Sequence, residues 1–287
     1  MSQAELRDRL LASLLLIPLF LATIVVGSWL FLGTILLLTA VGSAEFLLMA
    51  ANKGIPTRRV AGIGIAMAIP TVLYLEGTPI EVFTLVTAAV VGTALVQLFS
   101  GGQREAIPAV AVTVFGAFYV GLLFGHFVLV REFARPPSEL PYWTGAALLT
   151  LPILLTWIND TAAYAVGRRW GNRRLMPSVS PGKSVEGAIG ALVVTVAAAV
   201  PLVWLVDRWV PFFEGYDGVV IGIVVGLVAP CGDLVESMFK RDAGVKDVSR
   251  LIPGHGGILD RFDSLLLTVP AFYYYLRAVY HLRAVAG

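Results

Sequence analysis

Charged residues and cysteine are both scarce in this chain. Asp, Glu, Lys and Arg make up 14% of its 287 residues, against about 25% in an average soluble protein. This low charge excludes a disordered chain and an ordinary soluble enzyme. The net charge of +2 provides no basic surface for a nucleic-acid partner. The single cysteine, Cys231, excludes an internal disulfide framework and a thiolate metal cluster.

Apolar residues are abundant, at 57% of the chain, and the mean hydropathy is +0.83. A membrane-spanning helix needs about 20 mostly apolar residues, and nine stretches approach that length. They are Leu10–Val26, Ser28–Ala51, Val60–Leu75, Val82–Phe99, Ile107–Val130, Trp143–Ile158, Ala188–Val206, Val219–Met238 and Leu265–Tyr280. The sequence therefore predicts an all-α integral membrane protein, a polytopic bundle of about nine transmembrane helices.

The first two stretches run together almost without a polar residue. A single helix over Leu10–Ala51 would measure about 60 Å, twice the thickness of the apolar core of a bilayer. We therefore predict a tight turn at Gly27 and Ser28. The first stretch follows Arg7 and Arg9, as a signal peptide would, but it lacks a clear cleavage site and is interpreted as an uncleaved helix.

Basic residues are distributed unequally between the two sides of the predicted bundle. With nine spans, 16 of the 21 Lys and Arg residues fall on one side, which the positive-inside rule places in the cytoplasm. The other side receives Arg131, Arg135, Arg208, Arg277 and Arg283.

Polar residues collect in the second half of the chain. We therefore expect N-terminal transmembrane helices in residues 1–135 (spans 1–5) and a catalytic transmembrane region with cytoplasmic loops in residues 136–287 (spans 6–9). In the first half, Glu45 lies near the cytoplasmic end of a span, where Lys53 or Arg58 would neutralise it, and a structural role is favoured over a functional one. His126 is interpreted as a group that hydrogen-bonds between helices.

The first polar segment of the second half contains Asp160 and Tyr164, which share one helix face because they are four residues apart. It continues into 180–187, where small residues and a proline precede a new helix. Backbone N–H groups in such a loop can face an anion, and Lys183 adds a positive charge. The alternative is an ordinary cytoplasmic basic loop.

The second polar segment is richer in carboxylates. Asp233, Glu236 and Lys240 form one stripe of an otherwise apolar helix, which should face the interior of the bundle and not lipid. Further on, Asp260 and Asp263 share one face at the start of the last span.

Three glycines, Gly254, Gly256 and Gly257, surround His255 and allow the backbone to approach a ligand closely.

Carboxylates are hard oxygen ligands that suit Mg²⁺, usually together with substrate phosphates. Lys and Arg neutralise the charge that develops in phosphoryl transfer. A hydrolase triad of Ser237, His255 and Asp260 is an alternative, but no nucleophile elbow supports it. The pattern favours metal-assisted phosphoryl or nucleotidyl transfer at the cytoplasmic membrane surface, acting on a lipid phosphate.

These residues resemble the signature of the phosphatidate cytidylyltransferase (CDP-diglyceride synthase) family. The signature runs from Ser237 to Asp263. Its matching positions are Ser237, Phe239, Lys240, Arg241, Lys246, Asp247, Ser249, Ile252, Pro253, His255, Gly256, Gly257, Ile258, Asp260, Arg261, Phe262 and Asp263. Matches also occur at 159–171 and 180–187, although Gly182 and Val185 stand where the family usually has Lys and Trp.

The resemblance implies the reaction CTP + phosphatidate → CDP-diacylglycerol + diphosphate, with one or two metal ions including Mg²⁺. It also implies a homodimer in the inner (cytoplasmic) membrane of a bacterium, with its active site facing the cytoplasm. The implied catalytic residues are Asp233, Lys240, Asp260 and Asp263, of which Asp233, Asp260 and Asp263 are implied metal ligands. The implied substrate-binding residues are Asp160, Tyr164, Lys183, Ser237, Arg241, Lys246, His255, Gly256, Gly257 and Arg261.

Two other classes of function stay open. One is another CTP-dependent lipid enzyme, such as a CDP-archaeol synthase or a polyprenol kinase. The other is a transporter, in which the carboxylates would form an ion pathway. The charges crowd the cytoplasmic ends of the second half of the chain, which favours an enzyme over a transporter.

Overall fold

The structure is a computed structural model. It describes residues 3–100, 105–135, 138–208, 210, 213–246, 248–249 and 256–285. Within these residues the helices are α1 (Gln3–Val26), α2 (Ser28–Asn52), α3 (Arg59–Tyr74), α4 (Pro79–Phe99), α5 (Ala106–Arg131), α6 (Thr144–Trp170), α7 (Val185–Asp207), α8 (Asp217–Asp242) and α9 (Leu259–Tyr280). A π-helical turn follows at His281–Val285.

The predicted class, an all-α polytopic membrane protein, is confirmed. Each of the nine apolar stretches coincides with one helix of the described chain. Six of these helices, α2 and α4 to α8, are long and apolar enough to cross a membrane; α1 and α3 carry shorter apolar stretches. Helix α9 has the length but also carries Asp260, Arg261 and Asp263 in its first two turns.

Helix α4 shows why lipid is the appropriate solvent for this fold. Large apolar side chains cover its surface, among them Phe83 and Phe99, which are 70% and 83% exposed. An apolar face of this extent is rare on a soluble monomer, whereas hydrocarbon accommodates it.

The predicted turn between the first two helices is also confirmed. Helix α1 ends at Val26 and α2 begins at Ser28, with Gly27 at φ 69°. Glycine adopts this left-handed conformation without steric penalty, and Ser28 follows at φ 53°. Two positive φ angles in succession break what would otherwise be a single overlong helix.

A small β-hairpin in the loop between α6 and α7 was not predicted. Strand β1 (Arg174–Met176) pairs antiparallel with β2 (Ser180–Ser184). The stretch that was expected to be a loop of small residues is therefore largely extended and hydrogen-bonded.

The chain divides into two compact units, with the divisions inside α5, α8 and α9. Unit 1 contains residues 1–129 and 239–262, and unit 2 contains residues 130–238 and 263–287.

In unit 1, glycines let helices pack closely, as is common between membrane helices. A Cβ atom at Gly121 on α5 would lie 2.6 Å from the carbonyl oxygen of Ala66 on α3, and one at Gly116 would lie 2.5 Å from the ring of Phe46 on α2. Helix α5 therefore packs closely against both α2 and α3.

In unit 2, α7 packs against both α6 and α8. The buried side chain of Asn159 on α6 donates to the hydroxyl of Thr195 on α7, at 3.0 Å. On the other side, a Cβ atom at Gly222 on α8 would lie 2.6 Å from Cα of Val196 on α7. These contacts fix the helices that carry the polar residues of this unit.

Candidate active site

The Lys183–Asp233 cluster lies in unit 2 and consists of Lys183 on β2, Asp233 and Ser237 on α8, Asp160 on α6 and Asp263 on α9. Lys183 Nζ lies 2.6 Å from Asp233 Oδ2, and the Ser237 hydroxyl donates to Asp233 Oδ1 at 3.1 Å. Both oxygens of the Asp233 carboxylate are thus engaged. The Lys183–Asp233 contact brings together residues that lie 50 positions apart in the sequence.

The hairpin and the first turn of α7 position Lys183. Ser184 caps α7 by accepting from Gly187 N at 3.1 Å. The carboxylate of Glu186 accepts from the backbone N–H groups of Asn172 and Arg173 at 3.1–3.2 Å. Lys183 therefore stands in a short segment that is fixed both to a helix N-terminus and to the chain after α6.

Asp160 and Asp263 complete the electrostatic environment of this cluster. Asp160 interacts electrostatically with Asp263, Lys183 and Asp233. Helix α8 approaches α9 closely at Gly232, where a Cβ atom would overlap the carbonyl oxygen of Asp263 and lie 2.9 Å from Cα of Ser264. The residue before Asp233 is thus packed against the backbone that carries Asp263.

The Lys240–Asp260 cluster lies in unit 1, where the last turn of α8 and the first turn of α9 each contribute one charged residue. Lys240 Nζ lies 2.7 Å from Asp260 Oδ1, and both side chains are mostly buried. Asp260 Oδ2 accepts from the N–H groups of Gly257, at 2.8 Å, and Val248, at 3.2 Å. Gly256 adopts φ +79°, and a Cβ atom there would lie 2.8 Å from Asp260 Oδ2, so a glycine is needed on both counts.

Glu45 has hydrogen-bond partners that the sequence did not indicate. Its carboxylate, 3% exposed, accepts from Ser249 Oγ at 2.5 Å, Ile258 N at 3.1 Å and Leu259 N at 3.0 Å. The neighbours that the sequence suggested have other partners. Lys53 pairs with Asp242 at 2.5 Å, and Arg58 Nε donates to Gln97 at 2.7 Å. The one available signal was a carboxylate inside an apolar helix.

Aromatic rings surround the residue that precedes Lys240. Phe239 makes edge-to-face contacts with Phe46, Phe115 and Tyr119, at centroid separations of 5.6, 6.1 and 5.5 Å. Phe46 is the neighbour of Glu45 on α2.

Other predicted substrate-binding residues have more exposed positions. Tyr164 is 67% exposed, and its hydroxyl accepts from Arg168 at 2.9 Å. The side chains of Arg241, Lys246 and Arg261 are exposed. Gly256 and Gly257 lie beside the carboxylates of Asp260 and Glu45 respectively. His255 lies outside the described residues, as does Gly254, one of the three glycines that were predicted to let the backbone approach a ligand.

The described residues contain no group of three or more His, Cys, Asp or Glu side chains arranged to hold a metal ion. They do contain the two lysine–carboxylate pairs, which combine cations for phosphate groups with hard oxygen donors. Such pairs, in a chain with six described helices long and apolar enough to cross a membrane, are typical of one class of protein, a membrane-embedded enzyme that acts on phosphate groups.

The chain belongs to the cytidylyltransferase family, whose family model matches residues 7–279. It is 32% identical to a phosphatidate cytidylyltransferase of Synechocystis over 94% of this chain and 96% of that protein. It is 29% identical to one of Staphylococcus haemolyticus over 92% and 96% of the two chains. A third, from Haemophilus influenzae, is 44% identical over 46% of each chain. The chain is therefore an enzyme, a nucleotidyltransferase, and the family resemblance of its signature is confirmed.

Proposed function

We propose that this chain transfers the cytidylyl group of CTP to phosphatidate and forms CDP-diacylglycerol and diphosphate, a step of phospholipid biosynthesis. The observation that carries the proposal is the similarity to the Synechocystis phosphatidate cytidylyltransferase along nearly the whole length of both chains. The two lysine–carboxylate pairs provide the chemistry that this reaction needs.

In this reaction an oxygen of the phosphatidate phosphate attacks the α-phosphorus of CTP. The new P–O bond joins the lipid phosphate to CMP, and the bond from the α-phosphorus to the oxygen of the β-phosphate breaks, so that diphosphate leaves. The attacking oxygen is already anionic, so no strong general base is required. The enzyme mainly has to position two anions and cancel their repulsion.

Lys183 and Lys240 are suited to cancelling the repulsion between the two anionic substrates. An ammonium group on a four-carbon side chain is normally mobile, but each of these groups is held 2.6 or 2.7 Å from a carboxylate. The positive charge is thus positioned before a phosphate arrives. Arg241, Lys246 and Arg261 are proposed to contact phosphate oxygens from the exposed surface, and Ser237 to assist through Asp233.

We propose that the carboxylates of the Lys183–Asp233 cluster hold a magnesium ion. Asp233 and Asp263 both interact with Asp160, and Mg²⁺ is usually held by one or two carboxylates together with substrate phosphates. We propose Asp233 and Asp263 as ligands; the groups that contact Asp233 are the side chains of Lys183 and Ser237, which can rotate away from an arriving ion. The ligation by Asp260 stays a prediction, since two backbone N–H groups donate to its carboxylate in addition to Lys240. When bound, Mg²⁺ neutralises charge on the departing diphosphate.

The proposed location is the inner membrane of a bacterial cell, with the reacting groups on the cytoplasmic side. The 16 basic residues on one side of the predicted topology support this orientation, and the relatives named above are bacterial. A homodimer is proposed from the family resemblance alone.

The position of a radioactive label distinguishes this reaction from its alternatives. Purified protein is incubated with phosphatidate, Mg²⁺ and CTP labelled with ³²P at either the α- or the γ-phosphate. We expect α-label in the lipid product and γ-label in diphosphate.

Each alternative has its own outcome when a polyprenol and the unsaturated archaeal ether lipid are supplied together with phosphatidate. A polyprenol kinase would transfer γ-label to a polyprenol and none to phosphatidate. A CDP-archaeol synthase would transfer α-label to the unsaturated archaeal ether lipid in preference to phosphatidate. A transporter would label no lipid, and either γ-label in lipid or no lipid label at all would contradict the proposal.

A further inference from the structure

Glu45 connects an early helix to the end of the signature. Its three donors, Ser249 Oγ and the N–H groups of Ile258 and Leu259, lie 204 to 214 residues further along the chain. Glu45 is 3% exposed and lies inside α2, whereas Ser249, Ile258 and Leu259 precede or begin α9.

A buried carboxylate within an apolar helix carries a large desolvation penalty unless polar groups surround it. Here two backbone N–H groups at the start of α9 and one hydroxyl provide that environment, and the positive end of the α9 dipole adds to it. Space for the carboxylate depends on Gly257, where a Cβ atom would lie 2.6–2.7 Å from its atoms. The carboxylate therefore fits one arrangement of this backbone closely.

Phe46, which follows Glu45 on α2, contacts the residue that precedes Lys240. Phe46 contacts Phe239 edge to face, with ring centroids 5.6 Å apart. Lys240 directly follows Phe239, and Asp260 directly follows Leu259, which Glu45 holds. Two neighbouring residues of α2 thus fix the residues that precede both members of the Lys240–Asp260 pair.

We propose that Glu45 is a positioning residue for the transfer reaction, one that acts by holding the start of α9 so that Asp260 meets Lys240. This inference rests on the proposed function, because it assigns Glu45 to the same reaction. Glu45 itself contacts neither member of the pair among its described hydrogen bonds; it acts on the backbone that carries Asp260.

The test compares Glu45→Gln with two other variants. Glutamine keeps the size of the side chain but presents an NH₂ group to donors, which weakens the hold on Ile258 and Leu259. Ser249→Ala removes one of the three donors and leaves both backbone bonds. Glu81→Gln is the matched control, since Glu81 is also a carboxylate that accepts a backbone N–H at a helix N-terminus, that of Thr78.

Two measurements are made on each variant in detergent, after gel filtration confirms that it is folded. We expect Glu45→Gln to lower kcat by about 10- to 100-fold, with KM for CTP and phosphatidate changed by less than about threefold. Ser249→Ala should lower kcat less. Amide hydrogen exchange of peptides covering 256–262 should accelerate in Glu45→Gln, while Glu81→Gln matches the wild type in both measurements.

The double variant Glu45→Gln/Ser249→Ala separates positioning from general damage. Because both residues act through one contact, the effect of Ser249→Ala on kcat should disappear in the Glu45→Gln background. Independent effects that multiply would overturn the proposal, and so would unchanged exchange over 256–262. If Glu45→Gln does not fold, Ser249→Ala alone must show the reduced kcat and faster exchange.

Failure of the proposed function gives a different result. A wild-type protein without cytidylyl transfer would overturn that function, and with it the role of Glu45 in the reaction. The exchange measurement would still report whether Glu45 holds the start of α9, since it does not depend on activity.

Discussion

At the scale of single residues, the two lysine–carboxylate pairs differ in their surroundings. Asp233 receives a hydroxyl and an ammonium group, and Asp160 and Asp263 add two further carboxyl groups to the same cluster. Asp260 receives an ammonium group and two backbone N–H groups. The described partners of Asp233 are thus side chains, whereas Asp260 is also hydrogen-bonded to the backbone around it.

We expect Asp233→Asn to raise the Mg²⁺ concentration needed for half-maximal activity by at least about tenfold, because the variant removes a charged ligand. Asp242→Asn is the matched control. Asp242 also lies on α8 and pairs with a lysine, Lys53, but its side chain is 63% exposed. A magnesium titration of cytidylyl transfer measures both, and an unchanged requirement in Asp233→Asn would remove it from the metal site.

The sequence predicted the members of these pairs better than it predicted the pairing. Asp233, Lys240 and Asp260 stood out in the sequence because placing a carboxylate or a lysine inside an apolar run costs free energy. Such residues therefore usually have a function. Their partners depend on tertiary contacts. Glu45 and Ser249 are 204 residues apart, and one sequence contains no signal for a contact of that range.

At the scale of secondary structure elements, hydropathy predicted the helices, but the sequence did not predict the short β-hairpin. The nine helices followed from long apolar runs, and the break at Gly27 followed from the thickness of the membrane. The hairpin of β1 and β2 was missed because its strands have three and five residues, too short for a detectable alternation of polar and apolar side chains.

The close approach of α8 to α9 at Gly232 predicts that added volume there is harmful. In Gly232→Ala the methyl group would overlap the backbone at Asp263 and Ser264. We expect a loss of about 1–3 kcal/mol in the free energy of unfolding, measured as a lower Tm in detergent by about 2–4 °C per kcal/mol.

Gly92→Ala on α4 is the control for this substitution, since no atom lies within 4 Å of a Cβ at Gly92. There alanine should leave Tm unchanged or raise it slightly, because it favours helix more than glycine does. Equal Tm values for the two variants would show that the approach of α8 to α9 is looser than described.

At the scale of the whole molecule, orientation in the membrane decides which substrates the polar residues meet. CTP is a charged, cytosolic compound, so the proposed function requires the cationic side chains to face the cytoplasm. The basic residues of the predicted topology agree with that requirement.

Orientation is tested with single cysteines introduced at Arg174 or Lys246 in a Cys231→Ser background. Both positions should resist a thiol reagent that does not cross the inner membrane of intact cells and should react after lysis. A cysteine at Glu139, on the opposite side of the predicted topology, should react in intact cells. Labelling of positions 174 and 246 from outside would reverse the orientation.

Unit 1 is built from two distant parts of the chain, and this has a consequence for the biosynthesis of the protein. This unit combines residues 1–129 with residues 239–262, so it is incomplete until most of the protein has been translated. At about 5–20 residues per second, the roughly 210 residues between Glu45 and its donors take about 10–40 s to synthesise. During that interval the carboxylate lacks the three donors that it has in the finished fold. The nascent chain therefore has to keep Glu45 in place, for tens of seconds, without the hydrogen bonds that only its own later residues provide.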